Sequence, residues 1–137
     1  NGKTTMMRAF QNLLNVLRLP DDYHKKTYGI PVVNAGHIAH LCRSDYERFL
    51  NLCNTEMLGI DDMGTEPLEV QEFGNIHRPM VDLLTKRYEN GTFTFITTNL
   101  VPQQIRDLYG ERIADRLNEM ADKIIFKNPS FRSWRHG

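Results

Sequence analysis

The sequence predicts an α/β fold in which a mostly parallel sheet is covered by helices on both faces. Two observations support this fold class. The chain of 137 residues is 40% hydrophobic and 25% charged, which is enough apolar sequence for one globular core. Short β-branched or aromatic runs also alternate with helical segments along the chain. Such alternation is typical of parallel strands joined by helices.

Charge and cysteine content narrow the classes of function. The 17 basic and 17 acidic side chains cancel, so any contact with nucleic acid must come from a local patch. Cys42 and Cys53 form no C-x-x-C pair and suit a reducing compartment. No apolar run approaches the roughly 18 residues that span a bilayer, and no secretory signal is visible. We therefore expect a soluble, cytoplasmic protein.

The first predicted helix follows the opening stretch NGKTT, at positions 1–5. Its apolar stripe advances in steps of three and four residues, through Met7, Phe10, Leu14 and Leu17. Pro20 closes the helix. The opening residues therefore sit at a helix start.

The remaining elements alternate in the same way. Strands are predicted at 29–35, 56–62, 92–100 and 123–127. The first is followed by two helical segments, at 36–43 and 45–53. A loop with Gly64 and Pro67 leads to a helix that Asn90 and Gly91 stop, and one further helix is predicted over 101–121.

The opening stretch matches the second half of the phosphate-loop pattern G-x-x-x-x-G-K-[ST]. In such a loop, backbone N–H groups cradle phosphates, a lysine reaches the β and γ groups, and a hydroxyl holds Mg²⁺. The candidate nucleotide-binding residues are Asn1, Gly2, Lys3, Thr4 and Thr5, with Thr4 as a metal ligand. Taken alone, the motif is equally consistent with a glycine followed by a helix N-cap.

Two carboxylates are predicted at the carboxyl end of the second strand, where open α/β sheets bind ligands. Asp61 is the candidate Mg²⁺ ligand, and Asp62 is the candidate that orients or deprotonates the attacking water. An acidic turn is the alternative, because Gly64 follows and Asp is an ordinary turn residue. The upstream lysine loop favours an ATP site.

Asn99 lies with Thr97 and Thr98 at the carboxyl end of the third predicted strand. An uncharged amide at this place can hydrogen-bond both the attacking water and the γ-phosphate without adding charge. A turn-forming asparagine is the simpler alternative. Its predicted position on the strand beside the aspartates favours the catalytic interpretation.

Together these motifs resemble the AAA+ ATPases of the DnaC/DnaI helicase-loader and IstB transposition-helper group. The resemblance covers nearly the whole chain: 1–5 is similar to a Walker A motif, 58–67 to a Walker B motif, 82–100 to the sensor 1 region and 109–132 to the arginine-finger and sensor 2 region. The last block is the most specific, because paired arginines are followed there by a strand and "SFR".

The resemblance implies one AAA+ core domain over 1–137, a three-layer P-loop NTPase with a five-stranded sheet of order 5-1-4-3-2. It implies that the first strand precedes residue 1, so that the chain begins inside the Walker A loop. It also implies Mg²⁺-dependent ATP hydrolysis, assembly into rings or spirals, and a replicative helicase or a transposase as partner. Asp62 stands where many AAA+ proteins carry Glu, which predicts slow hydrolysis that a partner or DNA stimulates.

Two arginines of the last block, Arg112 and Arg116, lie four residues apart on one predicted helix face. The resemblance implies that Arg116 reaches the γ-phosphate bound by a neighbouring subunit and that Arg112 supports it. It also implies that Arg132 contacts phosphate in its own subunit. The alternative is a solvated face in which Arg112 pairs with Asp115 and Arg116 with Glu119.

Two further interpretations stay open. A P-loop kinase of a nucleotide or other small molecule shares the first loop and the sheet, but it usually needs an arginine-rich lid, whereas these arginines lie in a helix. A nucleotide-binding scaffold without turnover is the other. Single-stranded DNA is a candidate ligand of residues 43–49, which mix basic and aromatic side chains, although an amphipathic helix gives the same pattern.

Overall fold

The computed structural model describes residues 31–119 and 125–126, which form helices, a parallel sheet and a short hairpin. In chain order the elements are β1 (Val32–Asn34), α1 (Ala35–Ser44), α2 (Tyr46–Asn54), β2 (Met57–Met63), β3 (Val70–Glu72), β4 (Asn75–His77), α3 (Pro79–Asn90), β5 (Phe93–Thr98), α4 (Pro102–Tyr109), α5 (Glu111–Glu119) and β6 (Ile125–Phe126). The helix predicted after residues 1–5 lies outside the described residues.

The main sheet has four parallel strands in the order β1-β2-β5-β6. Asn34 of β1 is the register partner of Asp61 in β2. Ile60 faces Ile96 of β5, and the register then shifts, so that Met63 faces Thr98. Because the strands are parallel, their carboxyl ends meet at one edge, which positions the candidate site.

One neighbour relation differs from the order inferred from the resemblance. β6 pairs directly with β5, whereas the order 5-1-4-3-2 places the first strand between these two. The parallel α/β class describes the observed sheet. The five-stranded order stays a prediction.

The main core lies between the sheet and the described helices. It joins Leu58, Ile60 and Ile96 of the strands to residues from all five helices, including Ile38, Phe49, Leu83, Ile105 and Ile113. A separate, smaller cluster forms around Phe95 with Val32, Met57 and Phe93. A Cβ at Gly59 would lie 3.0 Å from both the Phe95 ring and Val32, so the glycine lets these side chains meet across β2. Helices on both faces stay a prediction, because the described helices all pack into one cluster.

Helix α3 ends at Asn90, as Asn90 and Gly91 predict. Pro79 occupies its first turn, where a missing N–H costs nothing. Gly91 ends it in the left-handed conformation, with φ of 66°. Within the described residues, no helix is long and apolar enough to cross a membrane.

Two local predictions from the sequence were wrong. The segment read as a loop before α3 contains the antiparallel hairpin β3–β4, whose three-residue strands are too short to show an alternating pattern. The single helix predicted over 101–121 is interrupted at Gly110, with φ of 98°, which separates α4 from α5. Asp61 and Asp62 lie near the carboxyl end of β2, as predicted, and the strand continues one residue further to Met63.

A buried arginine joins three elements at the amino end of the sheet. Arg87 of α3 is fully buried and has no acidic partner among the described residues. Its guanidinium donates hydrogen bonds to the Leu52 and Thr55 carbonyls at 2.9 and 2.7 Å, and to the Phe93 carbonyl and the Thr94 hydroxyl, each at 2.7 Å. Burial lowers its pKa to about 10, so the group stays charged at neutral pH. The Leu52 and Thr55 carbonyls lie at the carboxyl end of α2, where the helix dipole also favours a cation.

Candidate functional site at the carboxyl edge of the sheet

The candidate site lies where β2 and β5 end side by side. Asp61 and Asp62 come from β2, Thr97 and Thr98 close β5, and Asn99 follows at once. The parallel pairing of these two strands brings together residues that lie about 36 positions apart in the sequence. The aspartates and the asparagine predicted from the sequence therefore share one edge.

Asp61 is the more buried of the two aspartates, with 9% of its surface exposed. Its Oδ1 accepts a hydrogen bond of 2.5 Å from the Thr97 hydroxyl. A buried carboxylate is costly unless hydrogen bonds or a cation compensate its charge. A hard oxygen donor fixed at the ligand edge of a parallel sheet therefore fits a Mg²⁺ ion, the role predicted for Asp61.

Thr97 links both aspartates, and sequence reasoning assigned it no role. While its hydroxyl donates to Asp61, its oxygen accepts a 3.0 Å bond from the Asp62 backbone N–H. Thr97 is itself fully buried. The paired threonines at the end of β5 were the available signal, but only the structure shows that Thr97 is the one that reaches the aspartates.

Asp62 adopts a left-handed backbone conformation, with φ of 59°. Its carbonyl accepts hydrogen bonds from the Thr65 hydroxyl at 2.9 Å and the Thr65 N–H at 3.3 Å. With its own N–H held by Thr97, the residue is fixed on both sides within the register shift of β2. Asp and Asn tolerate this conformation better than longer side chains do. The backbone thus offers a physical reason for Asp at this position.

Asn99 is exposed and makes no side-chain hydrogen bond within the described residues. The turn that carries it is held by Thr98, whose hydroxyl donates to the Met63 carbonyl at 2.6 Å and accepts from the Leu100 N–H at 3.0 Å. The amide therefore lies at the site edge with its polar groups available to a ligand.

A buried glutamate ties the loop after β2 to α4. Oε1 of Glu66 accepts the Gly64 N–H at 2.8 Å, and Oε2 accepts the Tyr109 hydroxyl at 2.5 Å. Burial and this bond to Glu66 raise the pKa of Tyr109 well above its usual range, so the phenol stays a donor at neutral pH. Gly64 has φ of 112°, and a Cβ there would lie 2.7 Å from Leu100 side-chain carbons. This loop conformation requires glycine.

The paired arginines of α5, Arg112 and Arg116, do not form the ion pairs with Asp115 and Glu119 that a solvated helix face predicts. Glu111 and Asp115 both pair with Arg106 of α4, at 3.2 and 3.6 Å. Within the described part of the chain, Arg112 is exposed and makes no ion pair. The acids that surround it are therefore already engaged by another cation.

Arg116 packs on an aromatic ring instead of pairing with Glu119. Its guanidinium carbon lies 4.8 Å from the centroid of the Tyr88 ring. Glu119 accepts a hydrogen bond from the hydroxyl of that same tyrosine. The stacking supports the guanidinium and leaves it without an acidic partner in the described region.

Several predicted site residues are not covered by the described ranges. The phosphate-loop residues Asn1, Gly2, Lys3, Thr4 and Thr5 lie outside them, as does Arg132. Their assignment rests on the sequence alone.

Residues 43–49, the predicted contact for single-stranded DNA, are only partly exposed in the structure. Phe49 is 1% exposed within the core, so its ring is not available for base stacking. Arg48 lies 3.5 Å from Asp45, on an exposed turn. Tyr46 remains on the surface beside His77, with ring centroids 5.3 Å apart. This segment gives little support to a DNA-binding role.

Comparisons of the chain with family models, with curated proteins and with solved structures found no match.

Proposed function

We propose that this chain is an ATP-binding and ATP-hydrolysing AAA+ protein that acts in DNA replication as a DnaC-like helicase loader, or as an IstB-like transposition helper. The observation that carries the proposal is the carboxyl edge of β2 and β5. There Thr97 holds the Asp61 carboxylate and the Asp62 backbone together. The phosphate-loop sequence GKT supplies the complementary half of such a site.

Each residue of the proposed site has a separate task. Lys3 and the surrounding loop bind the phosphates, while Thr4 and Asp61 hold Mg²⁺. The metal nucleotide supplies the phosphoryl group and neutralises its charge. Asp62 orients the attacking water and accepts its proton, and Asn99 hydrogen-bonds the same water.

The proposed partners are a replicative helicase or a transposase, with single-stranded DNA as a further ligand and self-association through the α5 arginines. We propose a cytoplasmic location. Hydrolysis by the isolated chain is slow, because the carboxylate of Asp62 reaches one methylene less far than a glutamate. A partner or DNA then raises the rate.

Removing the loop lysine tests the binding half of this proposal. We expect Lys3→Ala to weaken Mg·ATP binding about 10- to 100-fold, the range given by loss of one or more charge-assisted hydrogen bonds. Isothermal titration with ATP measures the change. Lys86→Ala, at an exposed position of α3, is the matched control and should bind as the parent does. Equal affinities in the parent and in Lys3→Ala refute the loop assignment.

Phosphate release separates this proposal from a small-molecule kinase. An assembly ATPase releases inorganic phosphate from ATP with water as the acceptor. A kinase transfers the phosphoryl group to a second substrate and releases little phosphate in its absence. Rapid transfer to an added nucleotide, with negligible phosphate release, contradicts the ATPase assignment.

A further inference from the structure

The chain bends sharply within residues 62–66, the aspartate turn. Asp62 and Gly64 have positive φ values, of 59° and 112°. A residue other than glycine adopts such a conformation only at a cost, so neighbouring contacts must maintain it at Asp62. Because Asp62 is the candidate that activates water, the contacts that maintain the turn also fix the point from which its carboxylate extends.

A buried carboxylate, that of Glu66, closes the aspartate turn. Glu66 is 6% exposed and makes no ion pair within the described residues. Burying a carboxylate without a cation is unfavourable unless strong hydrogen bonds compensate. Two such bonds come from the Gly64 N–H at 2.8 Å and the Tyr109 hydroxyl at 2.5 Å. Apolar groups of the same shape can replace a buried hydrogen-bonded pair without loss of stability, so stability alone does not explain this pair.

Tyr109 lies where α4 passes into α5. It is the last residue of α4 and is 2% exposed, and Gly110, with φ of 98°, follows it before α5 begins at Glu111. The Tyr109 hydroxyl donates to a glutamate 43 positions earlier in the chain. One hydrogen bond therefore connects the aspartate turn with the junction between α4 and α5. Thr97 and Thr98 attach the turn to β5 by hydrogen bonds, so this contact adds support from a second side.

We propose that Glu66 and Tyr109 are positioning residues, which hold the aspartate turn against the α4–α5 junction and so keep Asp62 in place for water activation. Each of them acts through Asp62, and neither contacts the nucleotide. The effect on hydrolysis rests on the proposed function, whereas the contact between the turn and the junction rests on the structure alone. The two parts are therefore tested by different measurements.

Amide hydrogen exchange tests the contact without ATP. Tyr109→Phe removes one hydroxyl and keeps the ring, so Glu66 loses a donor and holds the Gly64 N–H less firmly. We expect the amides of residues 62–66 to exchange about tenfold faster, the factor that corresponds to the loss of one hydrogen bond. Tyr46→Phe, which removes a hydroxyl at the start of α2, is the matched control and should leave these amides unchanged. Parental exchange of the turn in Tyr109→Phe overturns the contact as its support.

Phosphate release tests the effect on hydrolysis. We expect Tyr109→Phe to bind Mg·ATP within about twofold of the parent and to hydrolyse it about 10- to 100-fold more slowly, because a misplacement of about 1 Å can cost 10²-fold in rate. Glu66→Leu should lose as much. Glu66→Gln should lose less, since its amide can accept from the Gly64 N–H and donate to the Tyr109 oxygen. Arg87→Lys, which lowers stability at the amino end of the sheet, is the stability control and should keep the parental rate while folded.

A double variant separates one shared contact from two independent roles. If Glu66 and Tyr109 act through the same hydrogen bond, Glu66→Leu combined with Tyr109→Phe is no slower than the slower single variant. Losses that multiply contradict the shared role, as does a parental rate in Tyr109→Phe or an equal loss of rate and of ATP affinity. A parent chain that releases no phosphate refutes the proposed ATPase activity and with it the effect on hydrolysis, whereas the exchange experiment decides the contact in either case.

Discussion

Arg116→Ala is expected to bind ATP normally and to hydrolyse it about 1,000-fold or more slowly, because an arginine supplied in trans contributes about 10³–10⁵ in related phosphoryl transfers. The structure gives this side chain suitable support. It stacks 4.8 Å over the Tyr88 ring and has no acidic partner among the described residues. Phosphate release measures the rate, and titration measures ATP affinity. Arg48→Ala, which removes an exposed arginine paired with Asp45, is the control and should retain the parental rate.

Mixing two inactive variants tests whether the arginine acts across a subunit boundary. Arg116→Ala retains Asp62, and Asp62→Asn retains Arg116, so some mixed interfaces combine an intact base with an intact finger. We expect the mixture to recover part of the parental activity. If both variants still assemble and no ratio restores activity, the arginine does not act in trans. A parental rate in Arg116→Ala alone contradicts any catalytic role.

The second large effect concerns stability. Arg87→Met is expected to lower the free energy of unfolding by about 3–5 kcal/mol, because several buried acceptors lose their donor and each such loss costs about 1–3 kcal/mol. The methionine fills part of the volume, but it leaves the Leu52, Thr55 and Phe93 carbonyls without their donor. Urea denaturation followed by circular dichroism measures the loss.

Two neighbouring substitutions make the Arg87 experiment specific. Lys86→Met changes the adjacent, exposed residue of α3 and should stay within about 0.5 kcal/mol of the parent. Arg87→Lys keeps the charge but cannot reproduce four bonds from a planar fork, so it should be less stable than the parent. A loss below about 1 kcal/mol in Arg87→Met means that water or a rearranged backbone satisfies these carbonyls.

The alternation of strands and helices could be predicted because each element carries its own local signals. The apolar run before Asp61 predicts β2, and Asn90 and Gly91 predict the end of α3. The break at Gly110 was missed, because a single glycine in a helical pattern is compatible with a continuous helix. The hairpin β3–β4 was missed because its strands are too short for periodicity.

Only those residues of the candidate site that lie at strand ends could be predicted from the sequence. Asp61, Asp62 and Asn99 could be placed because polar residues at the carboxyl end of an apolar strand are visible locally. Thr97 and Glu66 could not be found in this way, since their roles depend on partners 36 and 43 positions distant. Arg87 is similar, because a charged residue in a helix normally predicts an exposed side chain, and its burial follows from contacts with α2 and β5.

The most direct test of the proposed ATPase site compares Asp61→Asn with Asp62→Asn. The proposal assigns metal binding to Asp61 and water activation to Asp62. ATP affinity is measured with Mg²⁺ and with a chelator, and phosphate release gives the rate. We expect Asp61→Asn to lose the Mg²⁺-dependent part of ATP binding. We expect Asp62→Asn to bind Mg·ATP as the parent does and to hydrolyse it about 10²–10⁴-fold more slowly. Equal loss of binding in both variants, or a parental rate in Asp62→Asn, contradicts the account.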